Sequence, residues 1–509
     1  MKTTNRYLLF LMASFCLLFG ACSDNNDPLK PGPDPNPGQE TSDEIYYANH
    51  FAYDVLSDIY LWKNEIADGL KQLVPGTSED PIKTVSEITY REGGKLVDKW
   101  TALTDNLEEM QGSVDGVATT FGYGLQFGKF SNSDSYFAIV TYVVKDSPAE
   151  AAGLKRGDII LQINNADITD ANYTDLYYAA QLSLTTGKLN EENTVIPSGQ
   201  VSMTAAKMYE DPVLLRKVFD LGAKKVGYIV YNGFDLPSAK TWLEACKEFK
   251  QQGISELIID LRYNGGGYVF TENTIASMLA PAAEVQAKSV YSKEIWNADY
   301  MAYYKQQNQD LNTYFSTTHS IDYNDVKMDL DTKDANLGIS KIYALVSSGT
   351  ASASESLIVC LMPFMDVEVI GEHTHGKYCT GVMLGPDDIY KNPAEAIKKW
   401  GIYVMINKYT DRNGNNPCIP DGLTPDVECV DNPMDGYLLG DENETLLKEA
   451  LKRAGKVYTD EAAPARSAAA LHFEALPVHL NPLFGKRIDT KLLDKSKTSA
   501  TFVRLKDLN

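Results

Sequence analysis

Leu257-Ile258-Ile259-Asp260-Leu261-Arg262-Tyr263-Asn264-Gly265-Gly266-Gly267 is the stretch on which the fold turns. Its first five residues are an apolar run broken only by Asp260, the pattern of a strand buried on both faces. Such strands sit in parallel sheets covered by helices, so strands and helices should alternate on either side. They do. Residues 225–234 read as a strand. Residues 238–252 read as a helix with Trp242, Cys246 and Phe249 on one face and Gly253 as its stop. Residues 341–346 and 367–371 read as further strands. Residues 213–455 are therefore expected to form an α/β layer domain. A Tyr- and Asp-rich insertion at 284–335 shows no readable pattern.

Each strand runs into a loop with chemical potential. Gly265, Gly266 and Gly267 let the backbone approach a ligand and aim N–H groups outward. The loop lacks the Lys-Ser/Thr ending of a P-loop and the G-x-G-x-x-G of a dinucleotide site. Donors for a developing oxyanion fit it better. The second loop, Ser347-Ser348-Gly349-Thr350-Ala351-Ser352-Ala353-Ser354-Glu355, precedes a helix expected over 356–362. Ser352 with Glu355 three residues on is a capping box, the ordinary use of such a serine. The third is Gly371-Glu372-His373-Thr374-His375-Gly376-Lys377. A helix of ~11 residues runs out about 16 Å at ~1.5 Å per residue, and the following strand returns a similar distance at ~3.3 Å per residue. Lys377 should thus come back beside Ser352. A serine with a lysine at its side is a variant of nucleophile and general base. Such a lysine must lose its proton near neutral pH, well below its ordinary ~10.4, which burial can bring about.

The rest of the chain places this domain in context. Of 509 residues, 44% are hydrophobic and 23% charged, an ordinary globular balance that excludes wholesale disorder, collagen and a polytopic membrane protein. With 47 Lys+Arg against 69 Asp+Glu, the net charge of −22 would repel a phosphate backbone, so no nucleic-acid partner is expected. The seven cysteines show no Cys-x-x-Cys spacing and the histidines no ligand cluster, so neither metal nor cofactor is expected. Cys418 and Cys429 are left open as a disulfide or two thiols. Residues 1–22 carry Lys2 and Arg6 and then an apolar run from Tyr7 to Phe19, short of the ~20 residues of a membrane span and typical of a secretory leader. Residues 23–41 hold Pro28, Pro31, Pro33, Pro35 and Pro37, a stiff tether. Residues 42–112 look helical, 113–208 form a second unit and 456–509 a weakly patterned tail.

Three resemblances join these parts. Leu18-Phe19-Gly20-Ala21-Cys22 resembles a bacterial lipoprotein box, which implies lipidation at Cys22 and attachment to an envelope membrane, the outer one. Phe121-Gly122-Tyr123-Gly124-Leu125-Gln126-Phe127, with Ser147-Pro148-Ala149-Glu150-Ala151-Ala152-Gly153-Leu154 and Gly157-Asp158-Ile159-Ile160, resembles a PDZ domain. The resemblance implies that N–H groups near Tyr123, Gly124 and Leu125 cradle a peptide's C-terminal carboxylate while the peptide adds as a strand. The order of PDZ, Asp260-Leu261-Arg262, the glycines, Thr350-Ala351-Ser352-Ala353-Ser354-Glu355, Gly376-Lys377 and Gly422-Leu423-Thr424-Pro425-Asp426 resembles the carboxyl-terminal processing (tail-specific) serine peptidases.

That resemblance implies a βαββ-type core like those of crotonases and Clp proteases. It implies Ser352 as nucleophile, Lys377 as base 25 residues on, and N–H groups of Ala353 and of Gly265 or Gly266 as oxyanion donors. Ser354, 23 residues from Lys377, has the wrong spacing. The expected function is a lipid-anchored serine endopeptidase taking protein or peptide substrates with free C-termini. The alternative is a non-catalytic binding lipoprotein on the same fold. One departure stands out: members often carry a lysine-orienting Gln four residues after the Lys, and here that position is Gly381. His373 and His375 read as polar loop residues rather than substitutes.

Overall fold

The computed structural model describes residues 42–458, apart from 116, 131–134, 190–194 and 324–325, together with 473–475. The leader, Cys22, the proline tether and most of the tail lie outside these residues. Helix α1 (Asp43–Leu56) starts at Ser42, whose Oγ accepts the Ile45 N–H at 3.3 Å, with Asp43 and Glu44 suiting the positive end of the helix. Helix α2 (Pro81–Ile88) is capped by Asp80 with proline at its first turn. Beyond Ile88 the chain turns extended, and β1 (Ala102–Thr104) joins a sheet of the main body before a last short helix, Leu107–Val114. The helical pattern of 42–112 thus holds at its two ends. Phe51, Val55, Ile59 and Trp100 share one continuous core with Trp242 and Tyr403, so this segment walls the main domain.

The second unit has its own core, built on Phe121, Phe127, Ala138, Ile160 and Leu184. Its strands are β2 (Tyr123–Phe130), β3 (Tyr136–Val143), β4 (Ile159–Ile163), β5 (Gln181–Leu189) and β6 (Val195–Thr204). Between them lie α3 (Pro148–Ala151), capped by Ser147, and α4 (Asp175–Tyr178). The strand order is β6-β5-β4-β3-β2, and the outer edge of β2 is met by a strand from the far end of the chain, Phe473–Ala475, antiparallel to Gly128–Phe130.

The main domain runs β7 (Val213–Asp220), β8 (Lys225–Tyr231), α5 (Ser238–Gln252), β9 (Glu256–Asp260), α6 (Val269–Leu279), β10 (Val290–Trp296), β11 (Asn312–Tyr314), β12 (Lys341–Val346), α7 (Ala353–Leu361), β13 (Asp366–Gly371), β14 (Cys379–Leu384), β15 (Gly401–Asp411), β16 (Val427–Glu428) and α8 (Thr445–Arg453). One sheet has the order β7-β8-β9-β12-β13-β16, parallel except for β7. Asp260 lies opposite Leu345, and Leu345 opposite Ile370, so β9, β12 and β13 end level and open their loops on one edge, where open α/β sheets place their sites. The insertion at 284–335 supplies β10 and β11 to a second, antiparallel sheet, β11-β10-β15-β14, with β1 on the free part of β15. Helix α8 packs Leu446, Leu447 and Leu451 over the outer face of the first sheet against Tyr228, Ile258 and Tyr343. Helix α7 begins at Ala353, three residues before the expected start, because Ala353, Ser354, Glu355 and Ser356 are all buried in the helix rather than solvated in a loop. All five described cysteines are free thiols, so Cys418 and Cys429 do not bridge.

A buried charge network binds the second unit to this body. Arg262 chelates Asp260, with Nε to Oδ1 at 2.8 Å and a second nitrogen to Oδ2 at 2.7 Å, and reaches Glu444 at 2.6 Å and Asp431 at 2.7 Å. Arg156, from the turn before β4, meets the same Asp431 at 2.8 Å and the Tyr263 hydroxyl at 2.5 Å. Glu444 also caps α8, accepting the Leu447 N–H at 2.9 Å. Burying so many charges is tolerable only because each finds a partner; losing one partner of such a pair typically costs about 3–5 kcal/mol. Burial pushes the Asp431 carboxyl up, but Arg262 and then Arg156 overcome this and hold it near 2, below the ordinary carboxylate range. A depressed acid stabilises the fold above its unfolded value and loses that contribution as pH falls through the folded one. Stability should therefore decline between pH about 4 and about 2. Asp431→Asn should flatten that decline in urea titrations across this range, and an unchanged slope would remove Asp431 from the acid response.

Candidate active site

Three loops meet at the level ends of β9, β12 and β13. The first is fastened to the second by backbone bonds: Leu261 N–H donates to Leu345 O at 2.9 Å and Ala351 N–H to Asn264 O at 3.1 Å. Side chains add to this, with Thr350 Oγ1 donating to Leu261 O at 2.8 Å and Ser347 Oγ to Arg262 O. Inside the first loop, Asn264 donates to Tyr231 O at 2.9 Å and accepts the Gly266 N–H at 2.8 Å. Gly266 has φ +107°, and a Cβ there would lie 2.7 Å from Ser352 Cβ and 3.0 Å from Ala353 N. Only glycine lets the loop lie this close to Ser352.

Ser352 stands at the head of α7 with φ 64° and ψ −112°, a conformation few side-chain-bearing residues adopt, at a cost of roughly 1–3 kcal/mol. Of the expected capping box only the glutamate half forms: Glu355 Oε2 accepts the Ser352 N–H at 2.8 Å, while Ser352 Oγ is fully buried and makes no hydrogen bond. Ser354, the serine of wrong spacing, has its hydroxyl engaged with Asn264 O at 3.1 Å. The two serines are thus separated by use.

Glu355 joins the second loop to the third. One oxygen accepts Thr374 Oγ1 at 2.5 Å and the Gly376 N–H at 2.7 Å; the other accepts the N–H groups of Ser352 and Lys377, both at 2.8 Å. Burial pushes this carboxyl up, and the bonds from Thr374, Gly376, Ser352 and Lys377 pull it back. The Gly422-Leu423 turn clamps the same loop, with Leu423 N–H to Thr374 Oγ1 at 2.7 Å, and Asp426 accepts the Val369 N–H at 2.8 Å.

Lys377 is fully buried. Its Nζ lies 3.1 Å from the Tyr403 hydroxyl, 5.1 Å from the centre of that ring and 5.4 Å from the ring of Trp100. The Tyr409 hydroxyl donates to Lys377 O at 3.1 Å and approaches Ser352 O at 3.4 Å. The structure thus brings the Ser352 and Lys377 backbones together on one carboxylate. His375 packs edge-on against Trp100, and His373 is exposed. Glu355 was legible in the sequence only as a cap. Tyr403, Trp100 and Tyr409 carry no local signal, since each arrives from a distant strand or loop.

Gly265, Gly266 and Ala353 all lie at this junction. The Gly266 N–H is taken by Asn264 Oδ1 at 2.8 Å. Ala353 is the first residue of α7, where N–H groups have no partner within the helix. Tyr123, Gly124 and Leu125 open β2, with a bulge between Gly124 and Leu125 opposite β3. Tyr123 is buried and its hydroxyl donates to Leu176 O at 2.7 Å, tying β2 to α4. Behind them, the Tyr142 ring packs on Tyr263 of the glycine loop at 5.7 Å.

Residues 225–429 match the model of peptidase family S41 and residues 139–183 that of a PDZ domain. The chain is 26% identical over 337 residues to the carboxy-terminal processing protease CtpB of Bacillus subtilis, covering 64% of this chain and 58% of that one. It is 24% identical over 383 residues to a carboxyl-terminal-processing protease of Picosynechococcus, covering 73% and 80%. A Bacteroides fragilis crystal structure assigned to the S41 proteases shares the fold, with TM-score 0.57 and 22% identity over 80% of this chain and 98% of that one. The chain thus carries a peptidase family S41 core and a PDZ domain. It is similar to carboxyl-terminal processing proteases, and it spans 58% of the length of the Bacillus subtilis one.

Glu355→Gln would turn a donor toward two of the four donors the carboxylate now accepts. An unsatisfied buried donor costs roughly 1–3 kcal/mol, so the variant should lose at least about 2 kcal/mol in urea unfolding. A variant as stable as the unmodified protein would show that the carboxylate does not hold the two loops together.

Proposed function

We propose that the protein is a serine endopeptidase in which Ser352 is the nucleophile and Lys377 the general base. The observation that carries this reading is the Ser352 hydroxyl: buried, without a hydrogen bond, in a strained backbone conformation, and linked through Glu355 to the backbone of a buried lysine. A serine kept for capping would have spent its hydroxyl on the helix. Complete burial withholds water from the Lys377 amine, which favours its neutral, proton-accepting form.

In this mechanism Lys377 takes the Ser352 proton as Oγ attacks a peptide carbonyl. The negative oxygen that develops faces the N–H groups of Ala353 and Gly265, with the N-terminal end of α7 adding its positive pole. Lys377 returns the proton to the leaving amine. Water then hydrolyses the ester formed on Ser352, again deprotonated by Lys377. No cofactor is needed in these steps. Substrate tails would add as a strand to β2, with their carboxylates at Tyr123, Gly124 and Leu125. The pairing of Phe473–Ala475 supports this, because the same β2 edge already accepts an antiparallel strand at Gly128–Phe130. Cys22 would carry lipid and hold the enzyme on an envelope membrane, with residues 23–41 as spacer.

A soluble form starting at residue 42 is expected to cleave an unfolded protein such as casein. Ser352→Ala and Lys377→Ala should each lower kcat by about a thousandfold or more. Cleavage that survives either change would sink the dyad. For the anchor, Cys22→Ala in the full chain should move the protein from the membrane to the soluble fraction; retention on the membrane would exclude Cys22 as the attachment point.

A further inference from the structure

We infer that Tyr403 orients the Lys377 amine and does so from the space that a side chain at residue 381 would otherwise fill. The inference rests on the Ser352–Lys377 reading and adds a positioning residue to it. Gly381 lies on β14 and Tyr403 on the neighbouring β15, two positions from the Gly381–Met405 pair. A Cβ built on Gly381 would lie 2.6 Å from Tyr403 Cζ and 2.7 Å from Tyr403 Cε2. Much of the volume beyond Gly381 is therefore already the phenol ring. A third atom, the terminal Met405 Cε at 2.5 Å, belongs to a flexible side chain that could yield; the ring could not.

The ring is fixed on every side. Tyr403 is fully buried on a strand paired on both edges, opposite Met383 on β14 and Ala102 on β1. Its hydroxyl, at the far end of that ring, meets Lys377 Nζ at 3.1 Å. Trp100 closes another side of the amine and is itself anchored, because Asp98 Oδ1 accepts the Trp100 N–H at 2.9 Å and the Thr101 N–H at 3.0 Å. Thr101 Oγ1 in turn accepts the Met405 N–H at 3.2 Å, tying this segment to the strand of Tyr403. A neutral amine has two N–H bonds and one lone pair. Holding one N–H on a fixed oxygen restricts the directions in which the lone pair can point, which is what a base aimed at one hydroxyl requires. Glycine at 381 and tyrosine at 403 are in this view one device: the small residue makes room for the ring that carries the orienting oxygen.

Tyr403→Phe keeps the ring and removes the oxygen. With casein as substrate, kcat should fall about 10- to 100-fold with KM unchanged, the loss expected of a misdirected catalytic group. The thermal midpoint should stay close to that of the unmodified protein. The acidic limb of the kcat–pH profile should move to lower pH, since an acceptor for the ammonium N–H is gone. A ring that only fills the core would leave kcat within about twofold and the limb in place, and that result overturns the inference. The paired exchange gives a second test. Gly381→Gln alone should be nearly inactive, and so should Tyr403→Ala alone. The two combined should exceed either by at least fivefold, because the vacated ring space can take the amide. A double variant no better than Tyr403→Ala would overturn the shared-space argument. If Lys377→Ala abolishes cleavage and Tyr403→Phe does not, Tyr403 alone is excluded. If cleavage survives Lys377→Ala, the dyad fails and this inference fails with it.

Discussion

The site depends on one buried carboxylate. Glu355 takes four hydrogen bonds, from Ser352, Thr374, Gly376 and Lys377, and so clasps the loop after β12 to the loop after β13. A carboxylate can do this because two oxygens present about four lone-pair directions. An isolated buried charge would be costly; here four donors replace the water it lost. The strain at Ser352 persists for the same reason, since its N–H is held while its hydroxyl is left free. An ordinary helix cap satisfies the helix with the serine oxygen. This one satisfies the helix entry with the glutamate and releases the serine.

A second polar cluster does for the glycine loop what Glu355 does for the other two. Arg262 is clamped by Asp260, Glu444 and Asp431, and Asp431 also binds Arg156 from the PDZ unit. The Asp-Leu-Arg segment therefore has a structural task, setting the base of the loop that lies on Ser352. Tyr263 adds an aromatic contact to Tyr142 beside the expected peptide strand. Peptidase loop and PDZ unit share one packed junction rather than a simple linker.

Much of the architecture was legible because it depends on local patterns. The strand at Lys341–Val346 and the helix at Ser238–Gln252 follow directly from a buried apolar run and from an amphipathic stretch stopped by glycine. The return of Lys377 toward α7 follows from fixed rises per residue. Helix α7 starts earlier than its sequence suggests because Ala353, Ser354 and Glu355 look like loop residues; burial draws them into the helix. Residues 89–104 lie outside the helices, because extended chain that pairs with a distant strand leaves no helix-like period to read.

By itself the sequence determined the strand–helix alternation, the three loops and the 25-residue spacing between Ser352 and Lys377. Each is a matter of near neighbours and chain geometry. Only the tertiary structure decided which serine keeps a free hydroxyl, which glycine N–H is already spent, and what surrounds the lysine amine. Those answers depend on groups far apart in the chain: Asn264 with Ser354 and Trp100 with Tyr403. Hydrogen-bond competition and excluded volume settle them, and neither exists until the sheets have packed.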